Sequence, residues 1–173
     1  MCLEVIILSL QPQYGQLQAI LNRPQDAYAM ITGAPNFPNL SGAVFFYQLM
    51  DGVFLTVQMQ GLPQGTAACS SNIFGFHIHE GGSCTGTAQD PFANAGAHYN
   101  PNNCPHPAHA GDLPPLFGNH GTAFMALTTD RFSVKDIIGR TVIVHANPDD
   151  FTTQPSGNSG AKIACGQIVA NSR

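Results

Sequence analysis

Six of the seven histidines in this chain fall at positions where their side chains could share metal ions. His77 and His79 flank Ile78 in Gly75-Phe76-His77-Ile78-His79-Glu80. On a strand, residues i and i+2 point to one face, so both imidazoles could ligate a single ion. An isolated pair of this kind is more often two solvated surface histidines. His98, His106, His109 and Asp112 follow within fifteen residues. Three imidazoles and one carboxylate match a four-coordinate zinc site of N3O type, and the glycines and prolines among them let a loop fold back on itself. His145 closes the apolar run Thr141-Val142-Ile143-Val144. Alone it reads as a satisfied polar group at a strand end. With His77, His79 and His98 it would complete a four-imidazole site, and a tetragonal all-nitrogen set favours Cu(II).

These pieces, together with Gly139-Arg140 before Thr141 and with the run Gly157-Asn158-Ser159-Gly160-Ala161-Lys162-Ile163-Ala164-Cys165-Gly166, resemble the copper/zinc superoxide dismutase family in order, composition and spacing. The resemblance runs from about Ala27 to Ile168. It implies that His77, His79, His98 and His145 hold copper, and that His98, His106, His109 and Asp112 hold zinc. His98 would bridge both ions and take part in catalysis. Cys84 and Cys165 would form the intrasubunit disulfide. Asp149 falls where the family has an aspartate linking copper-side and zinc-side histidines; taken alone, it reads equally well as a surface residue in a turn. The family places an arginine three residues before the disulfide cysteine, where it attracts and docks superoxide. Here that residue is Lys162, which keeps the positive charge and lacks the planar fork of donors. The implied activity is conversion of superoxide to oxygen and hydrogen peroxide. The rival reading is a copper- or zinc-binding relative with weak or no dismutase activity.

Cys69 and Cys104 fall outside the implied pair; a second disulfide between them is the expectation, with free thiols as the alternative, and Cys2 would then be the odd one of five. The histidines already fill both sites, so neither Cys84 nor Cys104 is expected to ligate metal. His120 has no place in either ligand set and reads as structural or surface.

The elements that must position these residues are strands. Eighteen glycines and thirteen prolines in 173 residues exceed the roughly 12% of average usage and point to turns and long ordered loops. Val53, Leu55, Val57 and Met59 alternate with Phe54, Thr56 and Gln58, as a strand with one buried face would. Asp51-Gly52 predicts a tight hairpin with positive φ at both residues. Further strands are expected over residues 27–32, 43–49, 74–79, 121–127, 140–146 and 163–170, and Ser133 with Asp136 predicts one capped helical turn. About forty residues separate His79 from Gly121 and about fifteen separate His145 from Lys162; loops of that length in a compact domain usually carry function. The resemblance makes this an all-β protein, an eight-stranded antiparallel Greek-key β-barrel or sandwich with two long metal-site loops.

Residues 27–173 are expected to form one domain. Residues 1–26 read as an extension in which Leu17, Ile20 and Leu21 share a helical face ended by Pro24. A net charge of −4 without a basic run argues against nucleic acid, and no apolar stretch approaches a membrane span. The run from Val5 to Leu10 follows Glu4 and makes a poor signal peptide, while a disulfide argues for an oxidising space. Superoxide is the expected partner. A homodimer stays open, since family members pair through different barrel faces and some are monomers.

Overall fold

The computed structural model describes residues 18–67 and 69–172. Among the described residues the sheet elements and the helical turn between them are β1 (Ala27–Gly33), β2 (Ser41–Leu49), β3 (Gly52–Gln60), β4 (Ile73–Phe74), β5 (Phe76–His79), β6 (Leu116–Phe117), β7 (Thr122–Thr129), α1 (Val134–Ile137), β8 (Thr141–His145) and β9 (Lys162–Ala170). β4 and β5 are one run interrupted at Gly75, whose N–H donates to Asn147 O instead of a neighbouring strand. With those two joined, eight strands make up the fold. Seven segments form a curled antiparallel sheet in the order β5-β8-β9-β1-β2-β3-β7, and β4 pairs with β6. The non-sequential neighbours β5 and β8, β9 and β1, and β3 and β7 mark the crossovers of a Greek-key order.

Alternation sets which residues face inward. Val53, Leu55 and Val57 are fully buried, and Phe46, Phe76, Ile78 and Ile168 meet them in one core. Near the hairpin the outer face of β3 is covered as well. Phe54 lies opposite Tyr47 with ring centroids 5.8 Å apart, so β3 is buried on both faces there, more than its alternation predicts. The hairpin turn sits one residue earlier than expected. Leu49 pairs with Gly52, leaving Met50 and Asp51 as the loop, and only Gly52 takes positive φ (137°). A Cβ at Gly52 would also lie 2.4 Å from Thr129 O, so glycine is required on two counts.

β6 was not expected, because two paired residues carry no periodic signal. The capped turn is present: Asp136 accepts from the Ser133 N–H at 2.9 Å. Residues 18–21 are helical and stop before Pro24, with Leu21 half exposed, while Leu17 lies outside the described residues. Among the described residues no helix is long and apolar enough to cross a membrane.

Candidate metal centre

β5 is the edge of the large sheet, and its unpaired backbone would otherwise face solvent. The loop after it folds back and occupies that edge. Ile78 donates to Gly111 O at 2.9 Å and accepts from Tyr99 N at 2.8 Å, and Glu80 N donates to Ala97 O at 2.9 Å. A Cβ on Gly111 would lie 2.2 Å from Ile78 O, so only glycine permits this approach. The docking brings His98 beside His79 and Asp112 beside His77. His145 arrives from β8. A register shift between Val144 and His145 re-aims that side chain and sets it opposite Lys162 at the start of β9.

The ligand atoms of His77, His79, His98 and His145 lie within 4.8 Å of one another, as do those of His98, His106, His109 and Asp112. All seven side chains are buried. His98 belongs to both groups, so every residue of the two expected ligand sets is brought together.

Outward hydrogen bonds fix the tautomers. The ring N–H groups of His79 (Nδ1) and His145 (Nδ1) face the carbonyls of Gly96 and Gly160 at 2.9 and 3.2 Å. A carbonyl only accepts, so both Nδ1 atoms carry hydrogen and both Nε2 atoms are lone pairs. Yet those Nε2 atoms are 3.2 Å apart. Either a proton or a cation must lie between them. Burial, the largest influence, holds His145 down to about 3 and His79 well below the ordinary histidine value, which disfavours the proton. The tautomers of His77 and His106 are fixed from outside as well: the Nε2 of His77 donates to Asp149 Oδ2 at 2.7 Å and the Nε2 of His106 donates to Asp149 Oδ1 at 2.9 Å. The Nδ1 of His77 and the Nε2 of His98 are buried with no hydrogen-bond partner, and the buried Nδ1 atoms of His106 and His109 face only a carboxylate oxygen, Asp112 Oδ2, at 3.0 and 3.3 Å without a hydrogen bond to it. Unpartnered buried nitrogens converging on two points are what a pair of metal ions would satisfy, and the donor types suit copper and zinc.

Two carboxylates complete the cage. Burial opposes ionisation of Asp149, but hydrogen bonds from His77, the Phe151 N–H and His106 outweigh it and hold the carboxyl at about 2. Asp112 is likewise pushed up by burial and held below its ordinary value chiefly by His98, whose Nδ1 is 2.7 Å from Oδ1. Asp112 Oδ2 also accepts the His109 backbone N–H at 3.0 Å. Gly157, at φ 65°, passes over Asp149 so closely that a Cβ would lie 1.9 Å from its Oδ1.

The group of His77, His79, His98 and His145 opens into a cleft of about 670 Å³ lined by His79, His98, His145, Glu80, Asp90 and Lys162 among others. The Lys162 ammonium is 2.7 Å from Asp90 Oδ2. Cys84 and Cys165 form a disulfide that ties the segment before His98 to β9. Cys69 and Cys104, expected to pair, are free thiols. Cys104 is gripped by the Asn100 side chain within the metal loop, whereas the loop of Cys69 is tied through Asn72 to Gly65 and Gly118. His120 is exposed at the turn into β7 and takes no part in the site.

Sequence reasoning missed Asp90, Gln154 and Arg131. Gln154 pairs with the backbone N–H and C=O of His106 at 3.0 and 2.7 Å. Arg131 Nη1 reaches the carbonyls of Pro107, His109 and Asp112 at 3.0, 2.9 and 3.4 Å. These are loop contacts distant in sequence, and no local pattern announces them.

Residues 40–168 match the copper/zinc superoxide dismutase (SODC) family. The superoxide dismutase-like protein YojM of Bacillus subtilis is 39% identical over 112 residues, covering 56% of this chain and 56% of that protein. The Cu-Zn superoxide dismutases of Caulobacter vibrioides and Deinococcus radiodurans are 35% identical over 145 residues and 31% identical over 149 residues. Those matches cover 74% and 76% of this chain, and 78% of each relative. Among solved structures, the Cu/Zn superoxide dismutase from Brucella abortus superposes with a TM-score of 0.68 at 28% identity, over 82% of this chain and 98% of that one.

Proposed function

The chain belongs to the copper/zinc superoxide dismutase family, and we propose that it converts two superoxide ions and two protons to oxygen and hydrogen peroxide at a copper site joined to zinc through His98. Copper would be held by Nδ1 of His77 and Nε2 of His79, His98 and His145; zinc by Nδ1 of His98, His106 and His109 with Asp112. The observation that carries this reading is the convergence of two buried groups of ligand atoms on one shared imidazole, with nitrogens in both groups left without a hydrogen bond.

When bound, copper supplies one-electron redox chemistry and zinc a fixed positive charge that does not change oxidation state. The protein does the rest. Asp149 receives N–H groups from His77 and His106, so one carboxylate orients a ring in each cluster and raises its basicity. His98 would hold a proton at Nε2 only when that nitrogen is not ligating copper, and from there could pass it to the reduced product. Lys162 supplies the positive charge that draws superoxide into the cleft. Residues 27–173 would form the catalytic domain, with residues 1–26 as an extension, and sedimentation velocity at assay concentration would decide between monomer and homodimer.

The test is to load the purified chain with both metals, count each, and assay superoxide loss on the same sample. One copper and one zinc with fast, cyanide-sensitive turnover is expected. Full metal with slow turnover would move the function to metal binding, and a folded chain that retains neither ion would overturn the site.

A further inference from the structure

Among the described residues lining the cleft, the charged side chains other than histidine are Glu80, Asp90 and Lys162. Lys162 is thus its one lysine or arginine, and that cation does not stand free. Its Nζ donates to Asp90 Oδ2 at 2.7 Å, and the lysine side chain keeps only 16% of its exposure. Asp90 is itself fixed. Its Oδ1 accepts the Phe92 N–H at 3.1 Å, its own N–H donates to Thr87 Oγ1 at 3.1 Å, and its carbonyl accepts from Thr87 N at 2.8 Å and Ala93 N at 3.2 Å. The residues just beyond run through a 3-10 turn, Ala93–Ala95, to Gly96, whose carbonyl orients His79. The disulfide at Cys84 ties the same segment to β9, the strand that begins with Lys162. Both partners of the ion pair are therefore mounted on rigid backbone at the mouth of the cleft.

We propose that Asp90 is a positioning residue that sets the anion affinity of the cleft: it pins the Lys162 ammonium beside His145 and offsets its charge, so that the cleft draws a small anion less strongly than a free lysine would. An incoming anion must compete with the Asp90 carboxylate for the ammonium protons and is repelled by that carboxylate at close range. A unit charge roughly 3 to 6 Å away, screened nearly as in bulk water at the open mouth of the cleft, changes anion binding by a factor of roughly 3 to 10. The inference rests on the copper reading given above.

Azide, a monoanion like the substrate, is titrated into the copper- and zinc-loaded full chain, followed by the visible spectrum of the copper(II) form, in the wild type, Asp90→Asn, Lys162→Gln and the double variant. Melting temperature and metal content are recorded alongside. Asparagine keeps an oxygen for the Phe92 N–H and removes the charge. The expected result is azide binding roughly 3- to 10-fold tighter in Asp90→Asn, with kcat/KM for superoxide falling more steeply with added salt. Most of that gain should vanish when Lys162 is glutamine. Unchanged or weaker azide binding in Asp90→Asn overturns the proposal, as does an equal gain with and without Lys162. Wild-type protein that holds no copper, or that binds no azide while holding it, refutes the copper reading itself, and the inference falls with it.

Discussion

His77, His79 and His145 stand on strands, whereas His106, His109 and Asp112 stand on a loop without regular structure. The first set is placed by ladder hydrogen bonds of β5 and β8 and by a core that fills the other face of β5 with Phe76 and Ile78. Its geometry is settled as soon as the sheet forms. The second set is placed by side chains that reach backbone: Asn100 to Cys104, Gln154 to His106, and Arg131 to three carbonyls. His98 joins the two, because the loop lies along the free edge of β5 and carries that ring between them. A strand-borne cluster is thus specified by the fold, and a loop-borne cluster by a set of separate clasps that can be weakened one at a time.

Prying the loop from the strand edge separates the two clusters most sharply. Gly111→Val drives a side chain into Ile78 O and should weaken loop docking by about 3 kcal/mol. Zinc affinity, read by chelator competition, should fall on the order of 100-fold. Copper affinity should fall much less, since three of its four donors stay on the sheet. Equal losses of both metals would mean that the clusters are not held independently. Asp149→Asn strikes instead at the one carboxylate they share. Its amide can accept one ring N–H and must present a donor to the other. Affinity for both metals should drop by roughly 10- to 100-fold, and a loss confined to zinc would show that His77 does not depend on this aspartate.

The strand-borne half was legible in the sequence because its signals are local. Alternation in β3 and the spacing of His77 and His79 need only a period of two. The register shift that aims His145 left no mark, and the turn at Met50-Asp51 moved by one residue because Gly52 was needed at the strand start, against Thr129. The loop-borne ligands were legible as residue types, yet their support was not. Arg131 grips carbonyls, which every residue possesses, and Lys162 meets Asp90 across 72 positions of sequence. The cysteines show the same limit. Family resemblance pairs Cys84 with Cys165, as the structure has them, whereas nothing in the sequence marks a partner for Cys69 or Cys104, and both are free thiols.

The mildest test touches Arg131 alone. Its guanidinium lies outside both ligand sets and bonds only loop backbone, at Pro107, His109 and Asp112. An exposed charged donor of this kind contributes about 1 kcal/mol, so Arg131→Gln should lower zinc affinity roughly 5-fold and leave copper affinity unchanged. Arg131→Lys should recover much of the loss, because all three contacts run from a single nitrogen, Nη1, and an ammonium also brings three donors on one nitrogen. A glutamine variant that weakened copper as much as zinc would place the clasp's effect in the sheet and erase the distinction between the two clusters. A glutamine variant with wild-type affinity for both metals would mean that Gln154 and Asn100 already hold the loop without it.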